Sequence, residues 1–181
     1  MRVIAGKYKK KKIEAAPGMT SRPTTDKIKE NIFNILGPLE GHGLDLFAGS
    51  GGLGIEALSR GLESAVFVDG SKEAVTAIRH NIDGIDEHVE VYRNDAFRAL
   101  KALKKREQQF DLIILDPPYN KGLLNKAIEQ IDSYGLLKAE GRLMCECGKD
   151  ETVNPLTYDI MKEEIYGTIK ITILKGVQHD D

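Results

Sequence analysis

The feature that most constrains this sequence is the alternation of short apolar runs with helical patterns. Apolar runs at residues 44–47, 65–68, 89–92 and 110–115 have the length of buried strands, and the segments between them have helical spacing. Strands that alternate with helices form a parallel sheet with right-handed crossovers, and helices cover both of its faces. The sequence therefore predicts an α/β fold built on a mostly parallel sheet.

The remaining segments extend this sheet and precede it. Residues 3–6 and 12–15 predict a small N-terminal hairpin, and Thr24 or Thr25 is placed to cap a helix that Gly37 ends. After the fourth strand we expect a fifth strand and a closing antiparallel hairpin. In these later and intervening segments the expected helices are residues 55–60, 71–82, 96–104 and 123–131, and the expected strands are residues 141–147, 159–165 and 168–174.

Length and composition indicate one globular domain. The chain has 181 residues, of which 41% are hydrophobic and 30% charged, and no linker interrupts it. We therefore expect residues 1–181 to form a single domain, with residues 1–40 as a basic N-terminal hairpin and helix extension. No apolar run reaches the length of a membrane span and no signal-peptide pattern is present, so we expect a cytoplasmic protein without a membrane partner.

The two cysteines indicate a reducing compartment. Cys145 and Cys147 are two residues apart on a predicted strand, a spacing that is poor for a disulfide between them. A structural zinc needs about four ligands, and no further His or Cys lies close in the sequence. We expect two free thiols and no metal site.

Polar residues follow four of the predicted strands, at the point where each strand ends. They are residues 45–51, Asp69, Asn94 with Asp95, and residues 116–119. The carboxyl ends of parallel strands meet at one edge of a sheet, and ligands bind there where the strand order switches. The sequence therefore predicts one binding crevice formed by all four strand ends.

The fourth strand ends in the string Asp116-Pro117-Pro118-Tyr119. Two prolines cannot donate to a sheet ladder, so the strand stops there. The string places a carboxylate and backbone carbonyls beside an aromatic ring, and this cluster of acceptors suits the exocyclic amino group of a planar base. The alternative is a strand followed by a simple Pro-Pro turn, with Tyr119 packed for structure alone.

A glycine turn follows the first strand. Gly49, Gly51 and Gly54 have the spacing of the dinucleotide fingerprint, and Asp69 lies twenty residues after Gly49, where a ribose-binding acid is expected. The pattern alone is compatible with NAD, FAD or S-adenosylmethionine. For S-adenosylmethionine, the helix N-terminus would face the methionine carboxylate, Asp69 would accept the ribose hydroxyls, and Asp95 would hold the adenine amino group.

The N-terminal arm, residues 1–15, is strongly basic over its first twelve residues, whereas the rest of the chain is acidic. The chain has a net charge of −2, so the charge of +6 on residues 1–12 leaves −8 for the remaining residues. A basic arm on an acidic body favours contact with a phosphate backbone, and the alternative is a solvated lysine run. The basic residues of the arm are Arg2, Lys7, Lys9, Lys10, Lys11 and Lys12.

Taken together, these motifs resemble the class I S-adenosylmethionine-dependent amino-methyltransferases, and their finer pattern is similar to the RsmD-type 16S rRNA (guanine-N2)-methyltransferases. Gly52 and Gly70 depart from that pattern, since alanine and a polar residue are more usual there. The similarity covers nearly the whole chain and is most specific up to Tyr119. It rests on RVIAGKY at residues 2–8, RPTTD at 22–26, NIL at 34–36, LDLFAGSG at 44–51, GIEALSRG at 54–61, the acid Asp69, NDA at 94–96 and FDLIILDPPY at 110–119.

The resemblance implies a Rossmann-like class I methyltransferase fold with a seven-stranded sheet and a closing hairpin. It implies S-adenosylmethionine as cofactor and methylation of guanine N2 in 16S rRNA, within an assembled or assembling 30S particle. The sequence leaves the oligomeric state open, and our default expectation is a monomer. The implied catalytic residues are Asp116, Pro117, Pro118 and Tyr119. The implied cofactor-binding residues are Arg22, Thr24, Asp45, Phe47, Ala48, Gly49, Ser50, Gly51, Asp69, Asn94, Asp95 and Ala96.

Two other functions remain open at the level of the sequence. The Asp-Pro-Pro-Tyr cluster accepts the amino group of adenine as well as that of guanine, so adenine N6 of RNA or DNA is a possible target. A non-catalytic dinucleotide-binding or RNA-binding domain is the other alternative.

Overall fold

A seven-stranded sheet forms the centre of the molecule in the computed structural model, which describes residues 1–16, 18 and 24–177. The order of strands across the sheet is β3-β2-β1-β4-β5-β7-β6. In chain order the strands are β1 His42–Asp45, β2 Ser64–Asp69, β3 His88–Arg93, β4 Phe110–Leu115, β5 Leu137–Gly148, β6 Asp159–Tyr166 and β7 Ile169–Lys175.

The order in which the chain adds strands reverses at β1, and this reversal creates the predicted crevice. The strands β3, β2, β1, β4 and β5 pair in parallel, while β7 and β6 add an antiparallel hairpin at one edge. The chain proceeds outward from β1 to β3 and then returns to place β4 on the other side of β1. The carboxyl ends of β1 and β4 therefore lie side by side at the switch point.

In the described ranges, five helices cover both faces of the sheet. Buried residues of α1, α2 and α3 pack on one face, and those of α4 and α5 pack on the other. The α/β, Rossmann-like arrangement expected from the sequence is thereby confirmed. The helices are α1 Asp26–Leu36, α2 Gly52–Ser59, α3 Lys72–Asn81, α4 Ala96–Lys105 and α5 Leu123–Tyr134.

Local signals placed the helix ends well. The Thr25 side chain accepts a hydrogen bond from the backbone N–H of Ile28 at 3.3 Å, so Thr25 is the cap of α1. Ser71 caps α3 in the same way by accepting from the N–H of Ala74 at 3.2 Å. Short side chains that accept from the first helical turn satisfy donors that would otherwise have no partner.

Several predicted boundaries were wrong, each for a structural reason. The strand β1 begins and ends two residues earlier than predicted, because the chain leaves the ladder after Asp45 to form the glycine turn. The helix α2 begins at Gly52 because Gly51 adopts a left-handed conformation, with φ of 84°, and turns directly into it. The strand β5 begins four residues early because an irregularity in its pairing with β4 admits residues 137–140 to the strand.

The predicted N-terminal hairpin is present in a short form, with one antiparallel bridge between Arg2 and Lys12. The backbone N–H groups of Val3 and Ile13 donate across it to the carbonyls of Lys11 and Met1, at 2.9 and 2.8 Å. The backbone N–H groups of Ile4 and Ala5 donate instead to the Glu56 carboxylate on α2, at 2.9 and 3.2 Å. The arm is therefore docked onto a helix through a buried side chain. Val3 is also buried in the core, so the arm is an integral part of the fold.

Glu56 is the centre of a buried charge network. Its side chain is fully buried, as is that of Lys29 on α1, whose Nζ lies 3.4 Å from Glu56 Oε1. The Nε of Arg60 donates to Glu56 Oε2 at 2.8 Å. Buried charges are tolerated only when they are paired and hydrogen-bonded, so this network joins the arm, α1 and α2.

We predict that Glu56→Gln lowers the free energy of unfolding by about 3 kcal/mol, because it leaves the buried Lys29 ammonium without its counter-charge. Adding Lys29→Met to Glu56→Gln restores a large part of the loss. Urea unfolding followed by circular dichroism measures both variants. The exposed pair of Lys162 and Glu164 is the control, since Glu164→Gln costs less than about 0.5 kcal/mol. A similar loss for Glu56→Gln and Glu164→Gln contradicts the network.

Candidate active site

A pocket of about 1160 Å³ opens at the carboxyl ends of β1, β2 and β4 and at the start of α4. Polar side chains from these elements face a common space, as the alternation of strands and helices predicted. Thirteen of the predicted site residues line it: Thr24, Asp45, Phe47, Ala48, Gly49, Ser50, Asp69, Asp95, Ala96, Asp116, Pro117, Pro118 and Tyr119.

Of the predicted catalytic and cofactor-binding residues that the structure describes, two, Gly51 and Asn94, are not in the lining. Gly51 faces the core, where a Cβ atom would lie 3.4 Å from the side chains of Ile78 and Phe67. The backbone N–H of Asn94 donates to the Asp69 carbonyl at 3.1 Å, so Asn94 supports the end of β2. Arg22 lies outside the described residues. Gly51 and Asn94 therefore shape the site from behind, which residue type alone did not predict.

The glycine turn after β1 is held in place by two carboxylates. The N–H of Gly54 donates to Asp45 Oδ2 at 3.0 Å, and the N–H of Gly49 donates to Asp69 Oδ2 at 2.9 Å. Gly54 packs so closely on Phe67 that a Cβ would approach its ring to 2.3 Å. These contacts fix the turn between the ends of β1 and β2.

Asp69 and Asp95 present acceptors to the pocket. The second oxygen of Asp69, Oδ1, accepts from the N–H of Ser71 at 2.9 Å. Oδ2 of Asp95 caps α4 by accepting from the N–H groups of Phe97 and Arg98, at 3.0 and 3.1 Å. Carboxylates held in this way are preorganised to accept hydroxyl and amino donors from a nucleoside.

Phe97 also lines this part of the pocket, and sequence reasoning did not single it out. Lys126 on α5 places its Nζ 4.0 Å from the centroid of the Phe97 ring. The aromatic residue directly after Ala96, at the start of α4, was the available signal.

The acceptor cluster after β4 has a partner that the sequence analysis missed. Glu146 on β5 is 4% exposed, lines the pocket and accepts from the Tyr119 hydroxyl at 2.5 Å. Its other oxygen accepts from the Thr24 hydroxyl at 3.2 Å. The signal was a single acid in the apolar run LMCEC, with neighbours, Cys145 and Cys147, that pack into the opposite core.

Burial and neighbouring negative charges raise the pKa of acidic groups in the site. Burial, followed by the charge of Glu146, raises the pKa of Asp116 well above its usual range. Burial also raises the pKa of Asp45 to about 7, although the hydrogen bond from Gly54 opposes this shift. The pKa of Tyr119 is raised by burial and by Glu146, so its hydroxyl remains a donor. Perturbed carboxyl groups in one pocket are typical of functional sites.

The N-terminal arm contributes a wall of the pocket, although its basic side chains do not. Met1, Ile13 and Ala15 are among the lining residues. Lys7 pairs with Glu87 at 3.1 Å, and the Lys11 ammonium donates to the Asp83 carbonyl at 2.7 Å. The side chains of Arg2, Lys9, Lys10 and Lys12 are exposed.

Both cysteines are free, as predicted, and the structure shows that both are buried, which raises the pKa of each thiol. Across residues 1–16, 18 and 24–177, no group of three His, Cys, Asp or Glu side chains could hold a metal ion. No helix within the same ranges is long and apolar enough to cross a membrane.

The sequence of this chain matches a known protein family. The family model described as conserved hypothetical protein 95 matches residues 1–175 of this chain. A Bacillus subtilis protein, YlbH, named provisionally as an rRNA methyltransferase, is 46% identical over 183 residues, which cover 97% of this chain and 98% of YlbH. Ribosomal RNA small subunit methyltransferase D of Haemophilus influenzae is 31% identical, with 97% of this chain and 94% of that protein covered.

The chain belongs to the RsmD family.

Solved structures show the same fold for the family and beyond it. The structure of Escherichia coli yhhF, named provisionally as a methyltransferase, superposes with a TM-score of 0.83 at 29% identity and covers 98% of this chain and 99% of that chain. The Thermus thermophilus 16S rRNA N2 G1207 methyltransferase RsmC, solved with AdoMet and guanosine, has a TM-score of 0.65 at 19% identity. The match covers 90% of this chain and 46% of that one. At this low identity the superposition shows only that the two share the class I methyltransferase fold.

Within this RsmD-family fold, the pKa of Asp45 yields a test of its burial. A carboxyl whose pKa is raised from 3.8 to about 7 by folding stabilises the protein fully below pH 3.8, and this contribution is lost as the pH rises to about 7. We predict that Asp45→Asn, which still accepts from Gly54 but stays neutral, raises the free energy of unfolding above pH 7 by about 2–4 kcal/mol. Urea unfolding of both proteins between pH 4 and pH 8 measures the difference.

The same comparison at pH 4 is the control, because wild-type Asp45 is then protonated and the two proteins differ little. A difference in free energy of unfolding that stays constant from pH 4 to pH 8 contradicts the raised pKa.

Proposed function

We propose that this protein transfers the methyl group of S-adenosylmethionine to the exocyclic N2 of a guanine in 16S rRNA. The observation that carries the proposal is the acceptor cluster of Asp116 and Pro117 in the same pocket as Asp69 and Asp95. One part of the pocket suits an adenosyl group, and the other suits an amino group on a planar base. The names of relatives support an rRNA of the small subunit as the substrate.

The residues of the pocket fit this cofactor. Gly49 and Ser50 would face the methionine part, Asp69 the ribose hydroxyls and Asp95 the adenine amino group. Thr24, at the start of α1, closes the pocket on the other side, and Phe97 offers an apolar surface near Asp95. When bound, S-adenosylmethionine supplies an electrophilic methyl group on a sulfonium sulfur.

Asp116, Pro117 and Tyr119 would prepare the base for an in-line displacement. The lone pair of an exocyclic amino group is delocalised into the ring and must be redirected toward the methyl carbon. Asp116 and the Pro117 carbonyl accept the two N–H groups and favour the required pyramidal geometry. Tyr119 stacks on the base, which contributes about 1–3 kcal/mol. These three residues would hold N2 toward the methyl group that the cofactor supplies, and N2 would give up one proton on methylation, with S-adenosylhomocysteine as the other product.

Access to the base requires that it leave its stack, which is easiest in a loop or a single-stranded segment. The exposed Lys9, Lys10 and Lys12 would contact the RNA backbone, and the shape of a 30S particle would supply much of the specificity. We propose further that residues 1–181 form one methyltransferase domain that acts as a monomer in the cytoplasm, where the buried thiols of Cys145 and Cys147 stay reduced.

Adenine N6 is a second candidate target, because the same two acceptors suit its amino group. Methylation of 30S particles, compared with naked 16S rRNA, followed by identification of the methylated nucleoside, separates the two. N2-methylguanosine supports the proposal, N6-methyladenosine supports the alternative, and no methylated nucleoside from either substrate contradicts both.

We predict that Asp116→Ala retains affinity for S-adenosylhomocysteine within about threefold but lowers kcat by a factor of about 100 or more, because an acceptor used in the transition state is lost. Asp116→Asn keeps one acceptor oxygen and loses less. Because the pKa of Asp116 is raised, wild-type activity increases with pH as this carboxyl ionises, and the variants lose that dependence. Calorimetry and single-turnover methylation measure these effects, and a wild-type rate for Asp116→Ala contradicts the assigned role.

The basic arm is tested by substitution, because deletion would remove Val3 from the core. We predict that replacing Lys9, Lys10 and Lys12 with Ala weakens RNA binding and lowers the slope of log K against log salt by about 2. A matched variant replaces three exposed lysines of α4, Lys101, Lys104 and Lys105, and leaves the slope nearly unchanged. Equal slopes for the arm variant and the wild-type protein return the arm to a solvated lysine run.

A further inference from the structure

We propose that Glu146 selects guanine by accepting a hydrogen bond from N1–H of the base, beside the N2 that Asp116 holds. This inference rests on the proposed function and assigns a specificity-determining role to a residue outside the Asp-Pro-Pro-Tyr string. Its basis is the position of two carboxyl groups, side by side, in the same pocket.

The register of the sheet places these groups together. Leu115 of β4 pairs with Cys145 of β5, so the next residues along the two parallel strands, Asp116 and Glu146, are also neighbours. Both point to the face of the sheet that carries Ile114 and Met144, because side chains alternate along a strand. The charge of Glu146 contributes to the raised pKa of Asp116, which agrees with this placement.

Glu146 is held rigidly and still has acceptor capacity. One oxygen accepts from the Tyr119 hydroxyl at 2.5 Å and the other from the Thr24 hydroxyl at 3.2 Å. Each carboxylate oxygen accepts two hydrogen bonds, so each has a further lone pair. The side chain is 4% exposed but borders the pocket, which directs that remaining capacity toward a bound molecule.

Two adjacent carboxylates require two adjacent donors. Guanine presents N1–H and the N2 amino group next to each other on its Watson–Crick edge, so each carboxylate receives an N–H. In adenine the ring nitrogen next to the N6 amino group is N1, which carries a lone pair and would face a carboxylate. A buried acceptor left opposite another acceptor loses its hydrogen bond and is repelled. The pair therefore favours guanine, although Asp116 alone does not discriminate.

A purely structural role would have a different signature. If Glu146 only oriented the Tyr119 ring, its loss would slow methylation of every base that carries the reactive amino group to a similar extent. A role in recognition instead changes the ratio between bases that differ at N1. The base 2-aminopurine distinguishes the two roles, because it retains the 2-amino group but has a lone pair at N1.

The test uses the full-length protein and 30S particles reconstituted with guanine or 2-aminopurine at the nucleotide that the wild-type protein methylates. We expect wild-type kcat/KM to favour guanine by about tenfold or more. In Glu146→Gln one carboxylate oxygen is replaced by an NH2 group, which donates hydrogen bonds. This group can no longer accept from guanine N1–H, but it can donate to the N1 lone pair of 2-aminopurine. The ratio of kcat/KM for guanine to kcat/KM for 2-aminopurine should therefore be about tenfold lower in Glu146→Gln than in the wild-type protein. 2-Aminopurine also lacks the O6 of guanine. Both proteins are tested with the same two bases, so the effect of the missing O6 cancels when their ratios are compared.

Two further variants make the outcome decisive. Tyr119→Phe removes the hydroxyl that Glu146 holds but keeps the ring, so it lowers both rates and leaves the ratio near that of the wild-type protein. Glu146→Asp keeps the charge and retains a preference for guanine, and it replaces Glu146→Gln as the test if the latter does not fold. Calorimetry with S-adenosylhomocysteine and thermal unfolding verify the fold of each variant.

The proposal is overturned if wild-type protein methylates 2-aminopurine as well as guanine, or if Glu146→Gln lowers both rates equally. It is also overturned if Glu146→Asp loses the preference. A wild-type protein that methylates no guanine in the 30S particle refutes the proposed function itself, and that result appears before any variant is compared.

Discussion

The parallel pairing of β1 with β4 is the constraint on which the site depends. It places the switch in strand order at Asp45 and Asp116, so that the glycine turn after one strand and the Pro-Pro segment after the other open into one pocket. The prolines contribute by ending β4 where they do, because they cannot extend the ladder. The remaining helices and the antiparallel hairpin bury the two faces and the edge of this sheet, and in doing so hold the strand ends still.

The pocket accumulates negative charge at a cost to stability. Asp45, Asp116 and Glu146 lie on the same face of three adjacent strands. Burial raises the pKa of Asp45 and of Asp116, and the charge of Asp69 adds to the first shift and that of Glu146 to the second. Asp45 accepts a backbone N–H of the glycine turn, as Asp69 does, and both fix the shape of the site. Asp116 and Glu146 lie side by side and are the pair that donors of a bound molecule would stabilise, an arrangement that is common at functional sites.

The N-terminal arm connects the charge distribution of the chain to the pocket. Its backbone is anchored on Glu56, its apolar residues Met1 and Ile13 form part of the pocket wall, and its lysines face outward. Contact between the arm and RNA would therefore act on the same segment that borders the proposed cofactor site. The arm is packed into the core through Val3 and is therefore not an independent tail.

The sequence by itself determined the alternation of strands and helices and a cap at Thr24 or Thr25, because periodicity and caps are local properties of the chain. Thirteen residues of the pocket lining were also predicted, some from the polar strand ends and the glycine turn and the others from the resemblance to a known methyltransferase family. Phe97 and Glu146 could not be assigned in this way. Glu146 acquires its role from the pairing of β5 with β4, which places it beside Asp116, and from the position of Thr24 at the start of α1, 122 residues away in the chain. Only the tertiary structure decided which carboxyl groups share a pocket, because hydrogen bonds and repulsion between distant residues depend on register and packing, and neither is encoded in a short motif.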